Sequence, residues 1–319
     1  AHIAALVLPG TEAMLAGHPC LNEVLTTPVS KGTSALRRLA DEWRFLRTIR
    51  SQRFDLTIDL TSGDRAAALA WMSGAKIRVA FDTRAGMWGK RWLWTHRVQG
   101  PASDRHTVLQ NLELVEAVGI PAADRRVDLY WTPDDDAAVD RWWREWGLRP
   151  GEPVVQVHPT SRWLFKCWTD QGMAAVIDAL GDRGVRVVVT SGPAPYEIEK
   201  AEHVLARCAR RPLALLGRTT LKQLAALTAR CRLFVGIDSA PMHMAAAVAT
   251  PVAAIMLAAS AVHWRPWGDG HVVIEASTPA GVASSDRKQR IIAAMNAVTV
   301  AEVMAVIDAK LSDLMMRSR

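Results

Sequence analysis

The sequence predicts an α/β protein with two domains, each built on a parallel β-sheet. Along its 319 residues, short runs of apolar and β-branched residues alternate with longer helical patterns, as in βαβ units. The densest Pro/Gly stretch, residues 147–153, interrupts this alternation, which then starts again. A chain of this length suits two domains. We therefore expect domains over residues 1–150 and 151–319, with a ligand-binding cleft between them.

The first half is predicted to alternate short strands with amphipathic helices. Its strands are expected at His2–Leu8, Glu23–Thr26, Leu56–Leu60 and Ile77–Ala80. Its helices are expected at Thr11–Ala16, Ser34–Arg50, Arg65–Met72, Arg105–Val118 and Pro133–Trp146. Three aspartates at 134–136 suit the positive end of the last helix and do not indicate a metal site. The basic, Trp-rich residues 84–100 are expected to be irregular.

The second half repeats the alternation with more apolar strands. These are expected at Val154–His158, Val185–Thr190, Leu213–Leu216, Leu233–Ile237, Val252–Leu257 and Val272–Glu275. Helices are expected at Thr169–Gly181, Tyr196–Ala209, Leu221–Cys231, Met242–Val248 and Val300–Met315. Continuous apolar strands are typical of parallel sheets that are covered on both faces.

Composition narrows the class of partner. Half of the residues are hydrophobic, 22% are charged, and the formal net charge is +7, which favours anionic partners. No helix-turn-helix, zinc finger or aromatic RNA-binding signature is visible, so we expect no nucleic acid. The four cysteines are scattered without a CxxC pair, which predicts no zinc site, no disulfide framework and a reducing cytoplasm.

The most informative segment is the loop Asp238–His243. It follows the apolar run Leu233–Ile237 and precedes a helix of small residues. Ligands of open α/β sheets bind at the carboxyl ends of strands, and the first N–H groups of a helix attract phosphate. The loop therefore indicates a diphosphate or nucleotide-sugar site. The alternative is that Asp238 or Ser239 only caps the helix.

Three other loops at strand ends carry suitable polar residues. Thr160, Ser161 and Lys166 follow one strand, and hydroxyls and a lysine can hold phosphate oxygens. Glu197 or Glu199 follows a Gly-Pro turn, where a carboxylate can bind a ribose or a base. The third loop, residues 217–220, is weak by itself. Each of the first two also has an ordinary alternative, as a helix cap with a solvated lysine or as a first-turn carboxylate.

With these residues in view, the chain resembles the lipopolysaccharide heptosyltransferases of glycosyltransferase family 9, in their heptosyltransferase III subfamily. The segments that carry the resemblance are residues 158–168, 236–243 and 264–268. The resemblance implies a GT-B fold of two Rossmann-like domains. It also implies an inverting, metal-independent transfer, without a cofactor, of L-glycero-D-manno-heptose from ADP-heptose to a phosphorylated lipopolysaccharide inner-core acceptor. The implied location is peripheral, on the cytoplasmic face of the inner membrane.

The resemblance also implies roles for individual residues. Lys166 would be catalytic by offsetting charge as ADP leaves. The donor site implied by the resemblance consists of Thr160, Ser161, Lys166, Glu197, Thr219, Asp238, Ser239, Ala240 and His243, with Glu199 as the alternative to Glu197. The basic residues Lys90, Arg91, Arg97 and Arg105 are expected to meet acceptor phosphates or an anionic membrane face. An ordinary solvated basic surface is the alternative for these four.

One departure from the family pattern concerns the start of the sequence. Family members begin with a strand and a Gly-Asp loop whose aspartate is the general base, whereas Ala1–Leu8 matches their second strand. We expect the first βα unit to be missing and the chain as given to have little transferase activity. Asp59 and Asp64 lie at a strand end, but neither is expected to replace the base. The alternatives are another inner-core heptosyltransferase or a catalytically inactive sugar-nucleotide binding protein.

Overall fold

The computed structural model describes residues 1–28, 34–83, 85–100, 104–149, 151–282 and 285–316. The chain forms two compact units, residues 1–12 with 19–125 and residues 13–18 with 126–319. Pro150, at the predicted domain boundary, and Arg84, in the predicted irregular segment, lie outside the described residues.

The first unit alternates short parallel strands with helices. In chain order these are β1 (Ala4–Val7), β2 (Glu23–Thr26), α1 (Ala35–Ser51), β3 (Leu56–Asp59), α2 (Asp64–Ser73), β4 (Ile77–Phe81), β5 (His96–Val98) and α3 (Thr107–Glu116). Its described strands form two separate parallel sheets, one with the order β1-β2 and one with the order β3-β4-β5. Two small clusters of buried apolar residues lie around β4.

Part of the segment that was expected to be irregular is regular. A 3-10 turn spans Lys90–Leu93, and β5 pairs in parallel with β4. The buried Trp94 packs against Ala67, Ala70 and Ala80, which holds this segment on α2 and β4. The strand has only three residues, too few for its alternating pattern to be recognised in the sequence. The helix expected at Thr11–Ala16 is a 3-10 turn of three residues.

The second unit is larger and more regular. In chain order it contains α4 (Pro133–Glu145), β6 (Val154–His158), α5 (Asp170–Asp182), β7 (Arg186–Ser191), α6 (Pro195–Leu205), β8 (Leu213–Leu216), α7 (Leu221–Arg230), β9 (Leu233–Ile237), α8 (Ala240–Ala247), β10 (Val252–Leu257), α9 (Ala258–Trp264), β11 (Val272–Ala276), α10 (Arg287–Ala297) and α11 (Val300–Met316). Its six strands are all parallel, in the order β11-β10-β9-β6-β7-β8.

Helices cover both faces of this sheet. Every residue of β6 and of β9 is buried, as their apolar sequences predicted. One cluster of buried residues joins the sheet to α5, α10 and α11, and another joins it to α4 and α7. Helix α4 belongs to this unit through these contacts and through Arg230, which pairs with Asp136 at 3.1 Å and also with Asp140. Of this half's elements, α9 and α10 were not anticipated.

Among the described residues, no single helix is long and apolar enough to cross a membrane. One bent pair, Arg287–Ala297 with Val300–Leu314, meets the length and composition criteria together, with an angle of 62° between its helices.

Candidate active site

In the second unit, the connections that leave the adjacent strands β6 and β9 run toward opposite edges of the sheet. The chain moves outward from β6 to β7 and β8, and then returns to the other side of β6 to form β9, β10 and β11. At the carboxyl ends, His158 of β6 is in register with Gly236 of β9. Open α/β sheets bind ligands at such a switch point. The loops after β6 and β9 carry Thr160, Ser161, Lys166 and Asp238.

An ion pair joins these two loops. Lys166 lies on a 3-10 turn over Leu164–Lys166, and its Nζ donates to Asp238 Oδ2 at 2.8 Å. The side chains of Lys166 and Asp238 are 28% and 16% exposed, so a ligand can reach both. An ammonium group therefore lies at the switch point, where it can bind a phosphate oxygen in exchange for the carboxylate.

Helix α8 begins beside this pair without a side-chain cap. Ser239 is the N-cap residue, but its hydroxyl makes no capping bond, and Asp238 is engaged by Lys166. The alternative that either residue caps the helix is therefore wrong. Ser239 Oγ is buried, and it is one of the buried side-chain atoms that have no hydrogen-bond partner within the described structure. Ala240 follows at the first helical position and is exposed.

Glu197 lies in the first turn of α6, after β7. Its Oε1 accepts a hydrogen bond from the Thr160 hydroxyl at 3.4 Å, whereas Glu199 is exposed. Burial raises the pKa of Glu197 above its usual value, and the bond from Thr160 opposes this. Gly192 makes room for the carboxylate, because a Cβ atom there would lie 2.3 Å from Glu197 Oε2. Of the two predicted glutamates, the structure thus brings Glu197 to the loop after β6.

Two further predicted residues lie at neighbouring strand ends. His243, in α8, meets Trp264 at the end of α9 in an edge-on contact, with 6.1 Å between ring centroids. Thr219 follows β8, two strands from β6, and directly precedes Thr220, the N-cap of α7. Because β7 lies between β6 and β8, the axes of these two strands are about 10 Å apart.

Some residues of this region were not singled out from the sequence. Trp264 is 48% exposed and was quoted only as part of a family segment. His158 and Thr190 are buried, and Thr190 Oγ1 lies 2.9 Å from His158 Nδ1. Burial lowers the pKa of His158 to about 4, so the ring is neutral at pH 7. The sequence feature that could have singled out His158 and Thr190 is that each is a polar residue in a mostly apolar strand.

The four predicted acceptor residues belong to the first unit and differ in exposure. Lys90 is buried, donates to the carbonyl oxygens of Ser62 and Ala85, and lies 3.4 Å from Asp64. The Lys90 ammonium therefore binds groups within the first unit and does not contribute to a basic surface. The other three predicted residues, Arg91, Arg97 and Arg105, are exposed.

Two of these exposed arginines have acidic neighbours. Arg91 makes a two-pronged pair with Asp82, and Arg105 pairs with Glu113. Arg97 lies in the edge strand β5. Asp59, the last residue of β3, and Asp64, the first residue of α2, are also hydrogen-bonded. Asp59 Oδ1 accepts from Thr61 N at 2.8 Å, and the N–H of Met87 lowers the pKa of Asp64.

No group of three or more His, Cys, Asp or Glu side chains within the described ranges is arranged to hold a metal ion.

Comparison with known proteins decides the family. The family described as Glycosyltransferase family 9 (heptosyltransferase) matches residues 42–291, which is most of the chain. The chain belongs to glycosyltransferase family 9. It is therefore an enzyme of the glycosyltransferase class, as the resemblance implied.

Family 9 relatives include lipopolysaccharide heptosyltransferase 3 of Escherichia coli, which is 29% identical over 312 residues, covering 97% of this chain and 90% of the relative. A second protein of that name, from Escherichia coli strain K12, is 32% identical over 275 residues, covering 84% of this chain and 77% of the relative.

Solved structures of family 9 proteins confirm the fold. A family 9 glycosyltransferase from Veillonella parvula superimposes with a TM-score of 0.82 at 18% identity, covering 98% of this chain and 88% of that one. The ADP-heptose lipopolysaccharide heptosyltransferase II of Escherichia coli gives a TM-score of 0.75 at 18% identity, covering 100% and 91%. The GT-B fold class and its Rossmann-like parallel sheets, predicted from the sequence, are confirmed.

Proposed function

We propose that this family 9 enzyme transfers L-glycero-D-manno-heptose from ADP-heptose to the inner core of lipopolysaccharide, with inversion and without a divalent metal. The observation that carries the proposal is the Lys166–Asp238 pair at 2.8 Å, beside the uncapped start of α8 at the switch point of the sheet. A cation and helix N–H groups at this position suit a diphosphate. The names of the relatives supply the sugar and the acceptor.

In this proposal the second unit holds the donor. The diphosphate lies against Lys166, Ser161 and the first turn of α8. The Ser239 hydroxyl, which has no hydrogen-bond partner in the described structure, can donate to it there. Glu197 accepts hydroxyl groups of the ribose, and Thr219 lies on the adenine side. His243 and Trp264 border the heptose.

The first unit binds the phosphorylated acceptor in this proposal. Exposed Arg91, Arg97 and Arg105 supply positive charge for its phosphates. The acceptor is lipid-anchored, so we place the reaction at the cytoplasmic face of the inner membrane.

The chemistry follows from this arrangement. The acceptor hydroxyl attacks the anomeric carbon of the heptose from the face opposite the diphosphate, and a base takes the hydroxyl proton. The bond between the anomeric carbon and the diphosphate oxygen breaks, and negative charge grows on the departing ADP. Lys166 and the α8 amides are already in place to stabilise that charge, which lowers the barrier to bond cleavage.

Product formation tests the proposal. The chain is incubated with ADP-heptose and a phosphorylated inner-core acceptor, and the products are followed by mass spectrometry. We expect one added heptose with the inverted anomeric configuration, formed at a low rate, and the same rate with excess EDTA as with Mg²⁺. Binding of ADP without product would support the inactive sugar-nucleotide binding protein, and a rate that disappears with EDTA would refute metal independence.

A further inference from the structure

A chain of hydrogen-bonded side chains runs from the interior of the second unit to the candidate site. Gln156 Nε2 donates to Thr190 Oγ1 at 3.0 Å, and Thr190 Oγ1 lies 2.9 Å from His158 Nδ1. His158 Nε2 lies 3.3 Å from Thr160 Oγ1, which in turn contacts Glu197 at 3.4 Å. Each of the first four residues is at least 98% buried. Apolar residues occupy most neighbouring strand positions, so burial in the sheet does not by itself require these polar side chains.

The outer end of this row of side chains sets the direction of its hydrogen bonds. Glu197 Oε1 accepts the hydroxyl proton of Thr160, so Thr160 Oγ1 has only lone pairs left for His158 Nε2. The neutral ring therefore carries its proton on Nε2 and donates it to Thr160. The inner end fits either orientation of the Gln156 amide, because the single Thr228 hydroxyl proton has two acceptors in reach, Gln156 Oε1 at 2.7 Å and the Leu224 carbonyl oxygen at 2.6 Å.

The remaining bonds follow from this tautomer. His158 Nδ1 is then an acceptor and receives the hydroxyl proton of Thr190, so Thr190 Oγ1 accepts a hydrogen bond from Gln156 Nε2. With its N–H₂ group toward Thr190, the amide presents its oxygen to the Thr228 hydroxyl. All of the bonds run one way, from Gln156 to the carboxylate, and such chains reinforce one another.

We propose that His158 is a positioning residue that directs the Thr160 hydroxyl toward the ligand side of the site and thereby couples the ribose and diphosphate ends of the donor pocket. The coupling rests on the proposed function. When ribose hydroxyls donate hydrogen bonds to Glu197, they replace the hydrogen bond from the Thr160 hydroxyl. Because His158 Nε2 donates to Thr160 Oγ1, the Thr160 hydroxyl cannot donate back to His158, and its proton is free to bind a phosphate oxygen.

The first experiment measures the tautomer directly and needs no ligand. The chain is labelled with ¹⁵N-histidine, and the ring nitrogens of His158 are assigned by comparison with the variant His158→Gln. We expect a protonated Nε2 and an unprotonated Nδ1 throughout pH 6–8. A protonated Nδ1 would reverse the direction of the chain and overturn the proposal. Because no nucleotide is present, this result stands even if the proposed donor is wrong.

The second experiment is a double-mutant cycle on ADP affinity, measured by calorimetry. His158→Asn and Thr160→Val should each weaken ADP binding about tenfold, and the double variant should be no weaker than Thr160→Val alone. His158→Gln, whose amide can replace the Nε2 donor, should stay within about threefold of the original chain. Additive effects of the two single changes would show that His158 does not act through Thr160.

Inorganic pyrophosphate provides the test of coupling. It has no ribose, so Glu197 keeps the Thr160 proton and His158→Asn should change pyrophosphate affinity less than about threefold. An equal loss for pyrophosphate and ADP would refute the coupling. If the unchanged chain binds neither ligand, the proposed function fails, whereas the tautomer measurement still decides the role of His158. Unfolding midpoints of all variants show whether a loss of affinity comes from lost structure.

Discussion

At the scale of single residues, the site depends on pairs that are far apart in the chain. Lys166 and Asp238 are separated by 72 positions and meet because their loops leave adjacent strands. The sequence predicted each of them as a ligand-binding residue, because each follows a strand and precedes a helix. It could not predict that they contact each other, since that depends on the order of strands in the sheet. Nor could it predict the row of hydrogen-bonded buried side chains that includes His158.

Replacing Lys166 tests the proposed charge at the diphosphate. Lys166→Ala should lower turnover at least about tenfold and weaken ADP binding to a similar degree, because Lys166 supplies the ammonium that pairs with Asp238 in the described structure. Lys288→Ala is the matched control. Lys288 lies over the ring of Phe165 in the same region, without that ion pair. Equal effects of both changes on steady-state rates and calorimetric affinity would indicate general electrostatics and not a specific contact.

Gly192 tests the position of Glu197. Gly192→Ala adds a methyl group too close to the Glu197 carboxylate, so we expect the carboxylate to move away from Thr160. We expect ADP affinity to fall about tenfold by calorimetry. Gly181→Ala, in the helix α5 with open space around its Cβ position, is the control and should leave affinity unchanged. Unchanged affinity in Gly192→Ala would remove Glu197 from the ribose contact.

The buried His158 predicts an acid-sensitive stability. Its pKa is about 4 in the folded protein and 6.5 in a model peptide, so the unfolded chain binds a proton that the folded chain excludes. The free energy of unfolding should therefore be unaffected above pH 6.5 and should fall as the pH drops from 6.5 toward 4, by at most about 3 kcal/mol. Denaturant titrations at several pH values measure this. His158→Gln should lose that part of the pH dependence, and a curve parallel to the original would contradict the assignment.

At the scale of elements, α8 begins without the side-chain cap that would add to its own stability. Ser239→Ala should cost little unfolding free energy, because its hydroxyl makes no capping bond, but it should weaken ADP binding. The control is Thr132→Ala, which removes a complete capping box from α4 and should cost about 1 kcal/mol without affecting ADP. Thermal unfolding and calorimetry distinguish the two. A large stability loss in Ser239→Ala would restore the capping interpretation.

The elements differ in how far the sequence predicted them. The mostly apolar strand β6 and the fully apolar strand β9 were located correctly, because burial on both faces leaves few polar residues in the sequence. Short elements were missed, because β5 and α9 contain three and seven residues and are held mainly by tertiary contacts. Helix α10 was missed as well. Its first turn carries two basic residues and no acidic one, against the usual charge pattern at a helix start.

At the scale of the whole molecule, the two units differ in the extent of their sheets. The second unit has a six-stranded parallel sheet covered on both faces, whereas the described strands of the first unit form sheets of two and three strands. The sequence predicted the α/β class and the parallel sheets correctly. It could not predict this difference, because strand pairing depends on which segments meet in space.

This difference predicts unequal protection from hydrogen exchange. Backbone amides of β6, β7 and β9 should exchange far more slowly than those of β1 and β3, because extensive burial raises the free energy of local opening. ADP should increase protection in the loops after β6 and β9 and in the first turn of α8, and leave β3 to β5 unchanged. Mass spectrometry of peptides measures both effects. Protection by ADP confined to the first unit would contradict the assignment of the donor to the second.

The Lys166–Asp238 pair also bears on how the site empties. Asp238 is a resident counter-ion of Lys166, so under the proposed function a diphosphate would exchange one anion for another at the same ammonium. When ADP departed, the carboxylate would pair with the ammonium again, and no bare cation would be left. We therefore expect Asp238 to compete with the nucleotide, which would limit product retention and favour the next turnover.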